Sequence, residues 1–296
     1  MLSFQRLNLC EIPVIQPFFT YSLSRACDNT IGGTFMWRDY FETEYAVFHG
    51  TLIFKVRYIG GQTAFSLPLG PDVEGSLAEI AAYCHSERLP IVFCTATEED
   101  LAVYSRVFPH MRRTLNADWS DYLYSAADLI SLAGRRFSGQ RNHINHFRRE
   151  FPDSRFEPMG PDNLPEVLGF FHKMAAAVDK GTRIFREEQD KTLELLTHFG
   201  EYGMFGGLLR ARGDVCAFAV GEKVKDTLFV HVEKADSAYK GSYQVIASEL
   251  PKYFATPEIV YVNREEDVGD EGLRTSKLSY HPAFLLEKYT VEVELE

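Results

Sequence analysis

The residues best equipped for chemistry stand late in the sequence, where an apolar run, EIVYV (258–262), gives way to Asn263, Arg264, Glu265 and Asp267, with Lys277 further on. Carboxylates can take a proton from, or orient, an amine or hydroxyl nucleophile. Neighbouring cations can support those carboxylates or stabilise a developing oxyanion, and acyl transfer needs both functions. As a strand, the run sends Ile259, Tyr261 and Asn263 to one face and Val260, Val262 and Arg264 to the other. Ligands of α/β sheets collect outside the carboxyl ends of such strands, where this polar cluster falls. Asp270 and Glu271 are explained as an N-cap and a favourable charge at a helix start. Lys277 is not, because Leu273, Lys277 and Tyr280 share the stripe expected to face a core. The lysine must either snorkel outwards or meet a carboxylate, and Glu265 and Asp267 are close enough in sequence to serve. A further carboxylate, Glu233, lies on the same face of the strand TLFVHVE as His231.

A second set is basic. Between Arg135 and Arg149 there are five arginines and no acid. On a helix over 140–151, Ile144, Phe147 and Phe151 share one face, and Arg141, Asn145 and Arg149 the opposite one. Guanidiniums so presented suit phosphate or carboxylate through forked hydrogen bonds; the alternative is a solvated charged face. Asn142 and Asn145 are poor helix formers and call for another reason to be there. His143 and His146 have no third ligand at metal spacing and read as partly buried structural histidines, so no metal is expected. Gly241 and Ser242 precede a helix and present either an anion site or simple capping.

The elements that hold these residues form a repeated unit. Residues 45 to 69 read as a hairpin turning at Gly60-Gly61, followed by a helix, a buried strand PIVFC, an acidic stretch and another helix. Residues 203 to 281 repeat the order, with EGSLAEIAAYC beside KGSYQVIASEL and PIVFCTATEED beside EIVYVNREED. This is a tandem duplication of one α/β unit, with chemistry expected in the second copy, since the first has only Thr95 and Ala96 where the second has Asn263 and Arg264. The expected division is 1–130 and 131–296, the basic helix opening the second unit. The chain has 45% apolar and 25% charged residues and no apolar stretch long enough to span a bilayer, and it lacks a signal peptide, so a cytoplasmic globular protein is expected. A net charge of −11 argues against general affinity for nucleic acid or anionic lipid, leaving only local basic patches for that purpose. Five scattered cysteines without C-x-x-C spacing read as small buried hydrophobes.

The segments FMWRDYFETEYAVFHG, SLPLGP, LAGRRFSGQRNHINHF, FVHVEKAD and NREEDVGDEGLRTSKLSYHP together resemble the C-terminal domain family of phosphatidylglycerol lysyltransferases, from about residue 30 onward. The resemblance implies an α+β fold of two tandem acetyltransferase-like (GNAT) units, each a mixed, mostly antiparallel sheet flanked by helices. It also implies transfer of an aminoacyl or acyl group to an amine or hydroxyl acceptor. The large membrane-embedded domain of the lysyltransferases is absent, and DSAYKGSYQ lacks the Gly-rich phosphate loop of acetyl-CoA-dependent relatives. Aminoacyl-tRNA is therefore favoured over acyl-CoA as donor, with no tightly bound cofactor and a small molecule or lipid headgroup as acceptor. On this reading Glu233, Glu265 and Asp267 act as acid/base or amine-orienting groups, beside Asn263. Arg264 and Lys277 support them or the oxyanion, and Arg135, Arg136, Arg141, Asn142, Asn145, Gly241 and Ser242 face the donor's phosphates. The alternatives are a non-catalytic module binding an amino acid or nucleotide, and an acetyl-CoA-dependent N-acetyltransferase.

Overall fold

The computed structural model of the chain describes residues 2–177 and 181–294; Met1 and Glu296, the outer limits of the two expected units, lie outside them. In chain order the strands are β1 (Gln5–Arg6), β2 (Glu44–Phe48), β3 (Thr51–Arg57), β4 (Thr63–Phe65), β5 (Val92–Ala96), β6 (Met111–Leu115), β7 (Asp121–Ser125), β8 (Arg155–Pro158), β9 (Phe205–Ala211), β10 (Asp214–Val224), β11 (Thr227–Ala235), β12 (Tyr261–Asn263), β13 (Phe284–Leu286) and β14 (Tyr289–Val293). They form two sheets of the same plan, in the orders β1-β2-β3-β4-β5-β14-β6 and β8-β9-β10-β11-β12-β7-β13. In each, four antiparallel strands are followed by one parallel pairing, β4 with β5 and β11 with β12. Each sheet is thus mixed, mostly antiparallel and flanked by helices, and the chain is an α+β pair of GNAT-like units.

The first unit packs its sheet on the helices Val73–Glu87 and Glu98–Val107 through Ile53, Phe65, Leu77, Ile80, Phe93, Tyr104 and Val291. One expected hairpin here is two: His49 and Gly50 both take left-handed backbone and turn β2 into β3 before the Gly60-Gly61 turn. The second unit gathers Phe137, Phe147, Phe151, Ala217, Ala219, Ile246, Leu250 and Val262 around its sheet, with the basic helix (Ser138–Glu150) and the helix Ser242–Phe254 against it. Ile144, Phe147 and Phe151 are buried, the face that the 3.6-residue period predicts.

The units are not the two consecutive segments the sequence suggests. The first comprises residues 1–121, 266–269 and 285–296, and the second 122–265 and 270–284. The difference lies mainly in β14. This strand follows β13 closely in sequence, yet it pairs on both sides within the first sheet, with β5 and β6, and buries Tyr289 and Val291 there. Strand β12 is also shorter than the run EIVYV, and Val260, which precedes it, is 51% exposed. Among the described residues no helix is long and apolar enough to cross a membrane.

Candidate functional site

The parallel pairing of β11 with β12 ends at Phe229 opposite Asn263, while β11 runs on to Ala235. Beyond that point the two strands part, and the second unit places a cluster of buried or nearly buried charges there. The departure of β12 is held group by group. The Asn263 side chain, fully buried, accepts from the Glu265 amide at 2.7 Å, and Glu265 takes left-handed backbone (φ 57°). The Arg264 amide donates to the Tyr122 carbonyl at 3.1 Å, and the Arg264 carbonyl accepts from Lys277 Nζ at 2.5 Å. Strain of this kind persists only where the surroundings over-determine it.

Arg264 reaches Glu233 through Nη2, 2.9 Å from the carboxylate, and its guanidinium lies 4.8 Å from the centre of the Tyr280 ring and 5.8 Å from that of Tyr124. Both partners of the pair are nearly buried, 12% and 13% exposed. Burial opposes the charge on Arg264, but Glu233 and the two phenols outweigh it and hold the group firmly protonated. Its Nη1, buried, has no hydrogen-bond partner among the described residues. Burial is the main force that lifts Tyr280 to about 12 against the pull of Arg264.

Beside this pair His231 is clamped by two carboxylates, Nδ1 2.6 Å from Glu265 and Nε2 2.9 Å from Glu222. Its side chain is 1% exposed. Burial alone would discharge the ring, but the hydrogen bonds to Glu222 and Glu265 more than offset it and raise the pKa to about 10. A β-bulge sets this geometry. Val220 pairs with Val232 and Gly221 with Val230, so His231 is the extra residue. Gly221 is required there, since a Cβ would fall 2.1 Å from the Phe229 carbonyl oxygen.

Of the residues singled out by sequence, Glu233, Arg264 and Glu265 come together with His231 and Glu222 in this cluster. Asn263 and Lys277 hold the backbone that presents it. Lys277 is buried, and Leu273, expected beside it on the inward stripe, is 40% exposed. Asp267 is buried in a turn of the first unit, accepting from the Gly269 amide at 2.9 Å. In the basic segment Arg141 is spent on structure, its Nη1 donating to the carbonyls of Leu132 and Gly134. Arg136 pairs with Asp128 at 2.5 Å and lies over Phe137, and Arg135 is exposed. Asn142, Asn145, Arg148 and Arg149 line an open polar depression. His143 and His146 are exposed, not partly buried, and His146 lies 3.6 Å from Glu150. Gly241 (φ 97°) is demanded by packing: a Cβ would stand 2.6 Å from the His143 carbonyl oxygen of the basic helix. The Ser242 amide is already bonded to the Tyr239 carbonyl.

Sequence reasoning missed a second buried cluster, in the first unit. Lys288, fully buried, places Nζ 2.5 Å from Glu266, 2.6 Å from Asp28 and 2.7 Å from Asp121. Burial raises Asp121 to about 7 even though Lys288 pulls it down. Cys27 lies here too, its amide donating to Asp121 at 2.8 Å and its thiol 3.5 Å from Lys288 Nζ. It is therefore a member of a polar cluster and not a small hydrophobe; Cys10, equally, is exposed. Cys27, Asp28 and Glu266 have metal-ligand chemistry and spacing, but the ammonium of Lys288 already supplies a cation to both carboxylates. The four charged partners come from distant segments, so no local signal announced them.

Comparison with known proteins agrees with this architecture. The family described as Phosphatidylglycerol lysyltransferase, C-terminal matches residues 19–292. A conserved protein of unknown function from Bacteroides thetaiotaomicron VPI-5482 is 32% identical, with 99% of this chain and 100% of that one covered and a TM-score of 0.90. The structure of L-PGS from Bacillus licheniformis shares the fold at 14% identity, covering 96% of this chain and 92% of that one, with a TM-score of 0.64. An uncharacterized protein of Mycoplasmoides gallisepticum, MYCGA3080, is 23% identical over 185 residues. That match takes in 59% of this chain and 56% of the relative, so the chain spans little more than half the length of the curated protein it matches.

Proposed function

The chain belongs to the phosphatidylglycerol lysyltransferase C-terminal family, and from that premise we propose that it is a transferase that moves an aminoacyl or acyl group from an activated donor to an amine or hydroxyl acceptor. The observation that carries this reading is the pair at the parting of β11 and β12: a buried guanidinium with one unpartnered nitrogen, Arg264 Nη1, held against the Glu233 carboxylate. Glu233 accepts the nucleophile's proton or orients its lone pair, and Nη1 donates to the carbonyl oxygen as negative charge develops on it. A preorganised donor in a dry site is worth about 3–4 kcal/mol of barrier. The His231 imidazolium fixes Glu265 and Glu222 and keeps their charge from spreading to the reacting centre. The acceptor is a small molecule or a lipid headgroup, and the reaction belongs in the cytoplasm.

Aminoacyl-tRNA is the favoured donor. Gly241 and Ser242 support no pyrophosphate loop, since the space at Gly241 is filled by the basic helix and the Ser242 amide is engaged. The depression lined by Asn142, Asn145, Arg148 and Arg149, with Arg135 exposed nearby in sequence, offers a track for the donor's phosphates. The test is donor consumption with hydroxylamine as a generic nucleophile, comparing a mixed pool of aminoacyl-tRNAs with acetyl-CoA. Wild-type protein should consume aminoacyl-tRNA above the uncatalysed rate. Glu233→Gln and Arg264→Lys should each lower that rate by about 100-fold or more. Acetyl-CoA consumption alone would overturn the donor assignment, and unchanged rates in both variants would overturn the roles of Glu233 and Arg264.

A further inference from the structure

The first unit contains a cavity of about 80 Å³, several times the roughly 15 Å³ that one water needs. It opens where β4 and β5 part. Their parallel pairing is confined to Phe65 and Phe93, and the residues that follow, Ser66 on one strand and Cys94 and Thr95 on the other, line the space. This is the counterpart in the first sheet of the parting of β11 and β12, which holds charges in the second. Here the walls are rings instead, Trp37, Phe41, Tyr58 and Trp119, with Phe41 centred 5.8 Å from Trp119 and 6.2 Å from Tyr58.

Two observations distinguish this space from a packing gap. Among the described residues other than glycine that take left-handed backbone, Thr95 (φ 51°) and Val268 (φ 46°) are the two with β-branched side chains, and both line the cavity. That conformation is costly for a β-branched residue, and such strain collects at ligand sites. A bulge in β5, which sets Cys94 and Thr95 against Thr290 of β14, holds Thr95 there. The second observation is Ser66 Oγ, which is buried and has no hydrogen-bond partner among the described residues. A buried hydroxyl left unbonded is destabilising, and a ligand that bonds it recovers the loss. The carboxylates that also line the cavity, Asp28 and Glu266, are already engaged with Lys288, so a charged guest would enter without a counter-ion.

We propose that this cavity binds a small neutral aromatic alcohol, its single ring against the aromatic wall in the offset or edge contacts that such rings favour and its hydroxyl bonded to Ser66 Oγ. The assignment stands independently of the transfer chemistry in the second unit. Its test is direct, because Trp37 and Trp119 are the chain's two tryptophans and both line the cavity, so intrinsic fluorescence reports its occupancy. Wild-type protein at pH 7.5 and constant ionic strength is excited at the red edge of tryptophan absorption and titrated with benzyl alcohol, toluene, benzylamine and benzoate. Benzyl alcohol should give a saturable response, at least about tenfold tighter than the cationic benzylamine or the anionic benzoate. Ser66→Ala should weaken benzyl alcohol by about fivefold or more and leave toluene within about twofold, a split that a general loosening of the fold would not produce. Val56→Phe, which narrows the cavity from another wall, should abolish the response to both neutral compounds, with circular dichroism confirming that the variant is folded. No saturable response to benzyl alcohol, equal affinity for either charged compound, an unchanged ratio of benzyl alcohol to toluene affinity in Ser66→Ala, or undiminished binding by folded Val56→Phe overturns the proposal.

Discussion

The clamp of Glu222 and Glu265 on His231 predicts a pH dependence of stability that one substitution should erase. In the folded second unit the ring titrates near 10, whereas an unfolded histidine titrates near 6.5. A raised folded pKa contributes stability that is fully present below the unfolded value and is lost as pH rises through the folded value. Between pH 7.5 and 9.5 the folded unit therefore holds about one proton more than the unfolded chain. Its stability should fall by about 1.4 kcal/mol per pH unit, or about 3 kcal/mol over that range. The assay is urea unfolding followed by far-ultraviolet circular dichroism. Tryptophan fluorescence is recorded alongside, and it tracks the first unit alone because Trp37 and Trp119 both lie there. His231→Gln should be less stable at pH 7.5, where two buried carboxylates lose their shared cation, but its second-unit transition should be nearly flat up to pH 9.5. Parallel pH profiles for the two proteins would refute a protonated His231 and with it the electrostatic account of the site.

Two further expectations concern structure alone. Gly241→Ala should destabilise the second unit by about 1–3 kcal/mol, because alanine is strained at φ 97° and its methyl would press on the His143 carbonyl; a lowered urea midpoint by circular dichroism checks it. Lys288→Met should cost the first unit about 3–5 kcal/mol at pH 7.5, as the buried Asp121 and the partly buried Asp28 and Glu266 lose their common partner. Part of that loss should return at pH 5.5, where Asp121, already raised to about 7 with the lysine present, is protonated. The tryptophan-detected urea midpoint measures both effects, and an unchanged midpoint at pH 7.5 would contradict them.

The duplicated strand order, the apolar face of the basic helix and the Asp270 cap were legible because each is a local pattern with its own period or spacing. Asp270 does accept from the Leu273 amide at 2.7 Å. The inward position of Lys277 was legible for the same reason, while one of its contacts, the Arg264 carbonyl, was not, because a backbone acceptor leaves no trace in residue types. Glu222 was invisible because it stands near the end of an otherwise apolar strand, and only the bulge at His231 brings the two together. The cluster around Lys288 was hidden more thoroughly, since residues 28, 121, 266 and 288 meet only after the sheet of the first unit is complete. The basic segment shows the opposite error. Five arginines look like one surface, but Arg141 and Arg136 are used to tie down carbonyls and Asp128 within their own neighbourhood.

The position of β14 has a consequence for synthesis. A chain emerging from the ribosome usually folds its N-terminal part first, but here the first unit cannot close its sheet then, because the strand between β5 and β6 has not yet been translated. The second unit has all of residues 122–284 available before Tyr289 emerges. The part made first is thus the part finished last. Until then the edges of β5 and β6 stay open, and Asp28 and Asp121 wait for Lys288 to neutralise them.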